Sequence, residues 1–228
     1  MTVYRLDGRV EPPILDHAPW MDDITSASVY DLDSDAAQSR ILSADGLLIA
    51  SSADHVHLAK HRATLTSFVR DGGRVLVNGQ VVLPFIDGLA TWSKLNYSTA
   101  GDLQPHLVTA HPLWDGVDHQ DLHYRTGRPG VHDYQTLTSI GVAGFYGRGY
   151  HVNLPPDAQV ITGIGPLRLP LDYSYRIGLG EVIVHAGRDL DKYADPRYST
   201  GAFGPNIAAW LSGSTNSTTT PDLQGVAR

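Results

Sequence analysis

The residues best suited to chemistry cluster just after apolar runs. His185-Ala186-Gly187-Arg188-Asp189 follows one such run and offers an imidazole and a carboxylate close together, the parts of a base and the group that orients it. The bland alternative is a buried histidine satisfied by backbone, with Asp189 capping a turn. Asn78-Gly79-Gln80 follows a second run, and its amides could hydrogen-bond a sugar hydroxyl or another amide; Asn and Gly are equally common in plain turns. Ser51, Ser52, Asp54 and His55 follow a third, where Ser or Asp is also expected as a helix N-cap.

Two further sets concern metals and anions. His57 and His61 stand four apart and could share a helix face, but no acidic residue lies between them in the zinc-protease pattern, so surface histidines are expected. The stretch from His111 to Asp133 is dense in His, Asp and Arg. Its alternating His119, Asp121 and His123 would share one face of an extended segment and suit zinc, iron or manganese. A solvated loop has the same composition, and no metal is expected on this pattern. Arg125 and Arg128 could clamp a carboxylate or phosphate, and His111 and His132 could add contacts. Tyr146, Tyr150, Tyr173, Tyr175, Tyr193 and Tyr198 could offer stacking faces or serve as ordinary core aromatics.

Elements that would hold these groups can be read from periodicity. Gly46 to Ala50 is a short apolar run of the kind found in buried parallel strands. Leu58, Leu65, Phe68 and Val69 recur at helical spacing, Gly72-Gly73 stops the helix, and Arg74 to Val77 is a second buried strand. Together they predict a βαβ unit with parallel strands. A short strand over Ser26 to Leu32, short helices over Asp33 to Leu42 and Leu89 to Leu95, and strands over Asp157 to Gly163, Tyr173 to Ile177 and Glu181 to His185 are also expected. Asn206 to Leu211 reads as a terminal helix. The region from Asp102 to Asn153 reads as a loop-rich insertion.

The composition narrows the function classes. The 228 residues fit one α/β domain over residues 1–212, followed by a polar tail over 213–228 that is expected to be flexible. With no cysteine there is no disulfide, thiolate metal site or cysteine nucleophile. The formal charge of −7 and the lack of a basic stripe argue against nucleic acid. Protonating all 11 histidines would make the net charge positive. No apolar run is long enough to span a bilayer and no signal peptide is evident, so a cytoplasmic location is the expectation. The Gly-rich runs Gly141–Gly149 and Gly163-Ile164-Gly165-Pro166 lack the features of phosphate-binding loops, and no cofactor is expected.

Asp45 to Ala50, Phe68 to Gly73 and Arg74 to Gly79 resemble the central unit of the class I glutamine amidotransferase-like superfamily. His111-Pro112-Leu113-Trp114-Asp115-Gly116-Val117 and Gly180 to His185 resemble its ThuA-like (trehalose-utilisation) branch. The resemblance implies a flavodoxin-like three-layer sandwich with a mostly parallel sheet. It also implies a nucleophilic cysteine on the turn that is here Asn78-Gly79-Gln80, and a partner histidine near His185. Asparagine cannot replace that nucleophile, so glutamine hydrolysis by the family mechanism is excluded.

Two readings follow. One is a domain that binds a small polar or carbohydrate-like ligand, or serves in an assembly, including a homo-oligomer. The other is a hydrolase or isomerase acting on a sugar-derived substrate with His185 as base and Asp189 beside it. Both place the site where the Ser51–Asp54, Asn78–Gln80 and His185–Asp189 loops meet, beyond the strand ends, with the His111–Asp133 region covering that edge.

Overall fold

A computed structural model of the protein describes residues 2–9, 22, 24–122 and 146–214. The expected βαβ unit forms around β3 (Gly46–Ile49) and β4 (Arg74–Asn78), which pair in parallel with Leu47 opposite Val75. Between them the chain forms two helices, α2 (His55–Lys60) and α3 (Arg62–Arg70), rather than one. The break falls at His61, whose backbone (φ −100°, ψ 16°) leaves the helical region. Gly72 stops α3 in the left-handed region (φ +114°), with Gly73 N–H donating back to the Phe68 carbonyl.

Strand β1 (Val3–Asp7) pairs in parallel with β3 and with β2 (Ile24–Ser28), and β10 (Gly180–His185) extends the parallel set beyond β4. The sheet then turns antiparallel through β9 (Leu169–Ile177), β8 (Gln159–Ile164) and β6 (Pro105–Leu107). The full order is β2-β1-β3-β4-β10-β9-β8-β6, a large, mostly parallel sheet. A separate two-stranded ribbon pairs β5 (Thr91–Lys94) with β7 (Gly149–Val152).

Alternation along the central strands builds a core on each face. Leu47, Ile49, Val75, Val77, Val182 and Val184 pack with α2, α3 and α1 (Asp35–Leu42). Leu48, Leu76 and Ile183 pack on the other side with Trp114, Leu122 and α4 (Phe203–Leu211). That second face carries one described helix and a set of 3-10 turns.

Two further sequence expectations change. Leu89 to Leu95 contains β5, not a helix, because Trp92 and its neighbours pair with β7 far along the chain. The strand expected over Ser26 to Leu32 starts at Ile24 and gives way at Val29 to a 3-10 turn (Val29–Asp33), started by a capping box between Ser28 and Asp31. The polar tail beyond Ser214 lies outside the described residues. Among the described residues no helix is long and apolar enough to cross a membrane.

Leu65, Phe68 and Val69 anchor α3 as their spacing predicts. Phe68→Ala should cost about 3 kcal/mol in chemical unfolding, the low end for a buried Phe because its ring lies beside a surface groove that can partly collapse. A loss under about 1 kcal/mol would contradict this anchoring role.

Candidate functional site

The parallel strands β3, β4 and β10 end together, and their following loops meet. Gly79 N–H donates to the His185 carbonyl (3.0 Å), and Ser51 N–H donates to Asp189 Oδ1 (2.6 Å). Between these loops lies a cleft of about 400 Å³ lined by Ser51, Ser52, Gln80, Trp92, Arg148 and Arg188, with Gly79, Tyr146 and Gly187 in its wall. Gly79 makes the wall close here: it holds φ +99°, and a Cβ would lie 3.0 Å from Ser51 Cα. A neighbouring cleft of about 530 Å³ shares Gln80, Trp92 and Arg148 and adds Lys94 and Tyr97.

The loop junction is where the sequence places it, but the expected residues divide into two groups. Ser52 and Gln80 are exposed in the cleft wall, and Gly79 is also part of it. Asn78, by contrast, is fully buried and its amide is occupied: Nδ2 donates to the Ile49 carbonyl and Oδ1 accepts from Leu190 N–H. It ties the loops together instead of facing a ligand. Asp54 caps α2 through the N–H groups of Val56 and His57 and accepts from the Tyr30 hydroxyl, so the N-cap alternative holds.

Asp189 is not the partner of His185. Its carboxylate accepts from Ser51 N–H and from the buried Arg5 guanidinium (3.3 Å), which also bonds Asp7. Asp7 in turn accepts from Arg9, and this bond, with help from Arg5, holds the Asp7 carboxyl far below the usual carboxylate range despite burial. His185 pairs with Asp172 instead, Nδ1 to Oδ1 at 2.5 Å, and both side chains are fully buried. Asp172 Oδ2 accepts from the Tyr146 hydroxyl (3.0 Å), which accepts from Trp114 Nε1 (3.2 Å). Burial and the Asp172 charge push the Tyr146 hydroxyl well up from its ordinary range. Among the described residues His185 Nε2 has no hydrogen-bond partner, and it lies beneath Gly187, where an added Cβ would collide with it.

His111 is also displaced from the expected site. It caps the 3-10 turn Pro112–Trp114 and lies 3.6 Å from Glu181, at the opposite end of β10 from the cleft. The described part of the His111–Asp133 region therefore does not cover the expected edge. His119 faces Thr162, and Asp121 accepts from Ser199, so neither points to a shared metal. Arg125 and His132, with His123, Arg128 and Asp133, lie outside the described residues.

Trp92, Arg148 and Asp172 escaped the sequence reading as site residues, and Tyr146 entered it only as one of six possible stacking or core tyrosines. Asp172 had a readable signal: the two-residue Gly178-Leu179 turn closes a hairpin in which Asp172 stands directly opposite His185. Arg148 sits at the end of the Gly-rich stretch with no local cue, and Trp92 lies within the segment read as a helix.

No protein-family model and no curated protein matches the sequence. Solved structures match in fold. A cytoplasmic protein of Salmonella typhimurium is similar with a TM-score of 0.52 and 12% identity, over 92% of this chain and 98% of its own. Another cytoplasmic protein, from S. typhimurium LT2, gives a TM-score of 0.53 at 11% identity, over 93% and 100%. A candidate GMP synthase component from Thermoplasma acidophilum gives 0.51 at 12% identity, over 92% and 94%. At such identities the likeness shows a shared fold and nothing of activity.

Proposed function

We propose that this chain is an amidotransferase-like domain without glutaminase chemistry, and that it binds a small, anionic, carbohydrate-like ligand in the cleft beyond β3, β4 and β10. The observation that carries the reading is the cleft wall: Arg148 and Arg188 are exposed, and neither guanidinium is engaged among the described residues. Guanidinium pairs suit carboxylate and phosphate, Ser52 and Gln80 supply neutral hydrogen bonds, and Trp92 supplies a stacking face. A flavodoxin-like sandwich and membership of the ThuA-like branch belong to this same reading, supported by the sequence motifs around Gly73 and Gly180.

Calorimetric titration with sugar phosphates and sugar acids tests it. Binding is expected, and Arg148→Ala or Arg188→Ala should each weaken it by about tenfold or more, the scale of one charged hydrogen bond. Undiminished binding in the double variant would sink the reading. Because the chain has no cysteine, it should also release no ammonia from glutamine. Steady ammonia production by pure protein would contradict this.

His185 Nε2, which has no hydrogen-bond partner among the described residues and lies one glycine below the cleft, favours a second reading: a hydrolase or isomerase with His185 as base and Asp172, in place of Asp189, as its orienter. The bound ligand distinguishes the two. Recovery of unchanged ligand after long incubation supports binding alone; product formation lost in His185→Gln supports the enzyme.

A further inference from the structure

A second cluster lies outside this cleft. Asp33 ends the 3-10 turn Val29–Asp33, His57 lies on α2, and His61 stands at the break between α2 and α3. Asp33 Oδ1 is 3.0 Å from His61 Nε2 and 3.4 Å from His57 Nε2, and one ligand atom of each residue falls within 4.8 Å of the others. Contrary to the surface position expected from the sequence, His57 is only 5% exposed, and the 3-10 turn brings the Asp33 carboxylate to it.

We infer that Asp33, His57 and His61 form a binding site for a divalent transition metal of the zinc class. The spacing is that of metal ligands. Four ligands at 2.0–2.1 Å from a tetrahedral zinc stand about 3.3 Å apart, close to the distances of Asp33 Oδ1 from the two rings. An ordinary hydrogen-bond network explains the site less well. The His61–Asp33 contact satisfies one ring, but among the described residues the buried His57 Nε2 makes no hydrogen bond, only a long 3.4 Å contact with the same Asp33 oxygen. A buried ring nitrogen is costly to leave without a hydrogen bond. A metal ion would use its lone pair.

The surroundings fit. The His57 ring already packs edge-on against Tyr30, with centroids 4.7 Å apart, so its orientation is held by packing. Asp31 in the turn and Asp35 at the start of α1 flank Asp33 in the chain, a local charge that favours a cation. Asp33 is 62% exposed, which leaves an entry path and room for water in a remaining position. Gln38 Nε2 lies 3.3 Å from His61 Nδ1 and donates to the Leu32 carbonyl. With metal on Nε2, His61 must carry its proton on Nδ1, so the Gln38 amide has to give up its bond to the Leu32 carbonyl before its oxygen can accept from the ring as the outer partner. Two imidazoles and a carboxylate select zinc and its neighbours over calcium or magnesium.

The test is titration of chelator-treated protein with zinc by calorimetry, repeated with cobalt read by its visible absorption. One ion per chain at micromolar affinity, with a rise in Tm, is the expected result. Asp33→Asn and His61→Ala, at the more exposed positions, should each weaken binding by about tenfold or more, with far-UV circular dichroism unchanged. Asp33→Asn keeps the shape of the side chain, so it keeps the test valid if His61→Ala loses the fold. No zinc binding by folded protein at millimolar zinc overturns the site. Binding that persists unchanged in the folded variants overturns it too, because other histidines would then hold the ion.

Discussion

Replacing Asp172 with Ala is expected to lower the unfolding free energy by about 3–5 kcal/mol, the usual cost of removing one partner from a buried, hydrogen-bonded polar pair. Asp172 accepts from two groups with no access to water, His185 Nδ1 and the Tyr146 hydroxyl, and its loss strands both. Each stranded group adds its own desolvation penalty. Asp172→Asn should cost less, because it keeps the volume and one acceptor oxygen. Tyr146 forms part of the cleft wall, so the Ala variant should also weaken ligand binding, whereas a remote destabilising change such as Phe68→Ala should not. Urea unfolding checks the first part. A loss below about 1 kcal/mol would show that water or another group replaces Asp172 readily.

Acid is expected to remove on the order of 4 kcal/mol through one residue, His151. Its ring is buried against Tyr173, with centroids 4.9 Å apart, and among the described residues neither nitrogen has a hydrogen-bond partner. Burial first, and the nearby His185 second, push its pKa from the ordinary 6.5 down to about 3. The unfolded chain therefore takes up a proton near 6.5 that the fold refuses until about 3. The stabilisation is complete above 6.5 and is lost as pH falls toward 3. Asp191 acts in the opposite sense. Burial, then repulsion from Asp189, raises its carboxyl from 3.8 to about 6, so the folded protein gains that proton first. Its contribution is present below 3.8 and lost as pH rises through 6, which partly masks His151 in that window. Comparing wild type with His151→Phe across pH separates them. The difference in unfolding free energy should be flat above 6.5 and then shift steadily in favour of the variant as pH falls. A difference that does not change with pH would show that His151 reaches water in the native state.

Much of the frame was legible because its signals are local. The apolar runs at Gly46–Ile49, Arg74–Asn78 and Gly180–His185 are strands buried on both faces, and such strands declare themselves without reference to partners. Gly72 marked the end of α3 because left-handed backbone favours glycine. Since these strands run parallel and end together, the meeting place of Ser52, Gly79 and the loop after His185 followed from topology. The absent cysteine excluded a whole chemistry from composition alone.

What the sequence could not decide was which polar groups face each other. Asn78 and Asp189 stand in the predicted loops, yet their hydrogen bonds run to Ile49, Leu190, Ser51 and Arg5, contacts made between distant segments. Thr91–Lys94 is a strand because Gly149–Val152 pairs with it across almost sixty residues, and that pairing outweighs its local helical spacing. Asp33 meets His57 and His61 only when the 3-10 turn packs beside α2. Local periodicity determined the elements because each depends on neighbours along the chain; tertiary packing alone decided the side-chain partners, because a buried polar group bonds whatever the fold brings within about 3 Å.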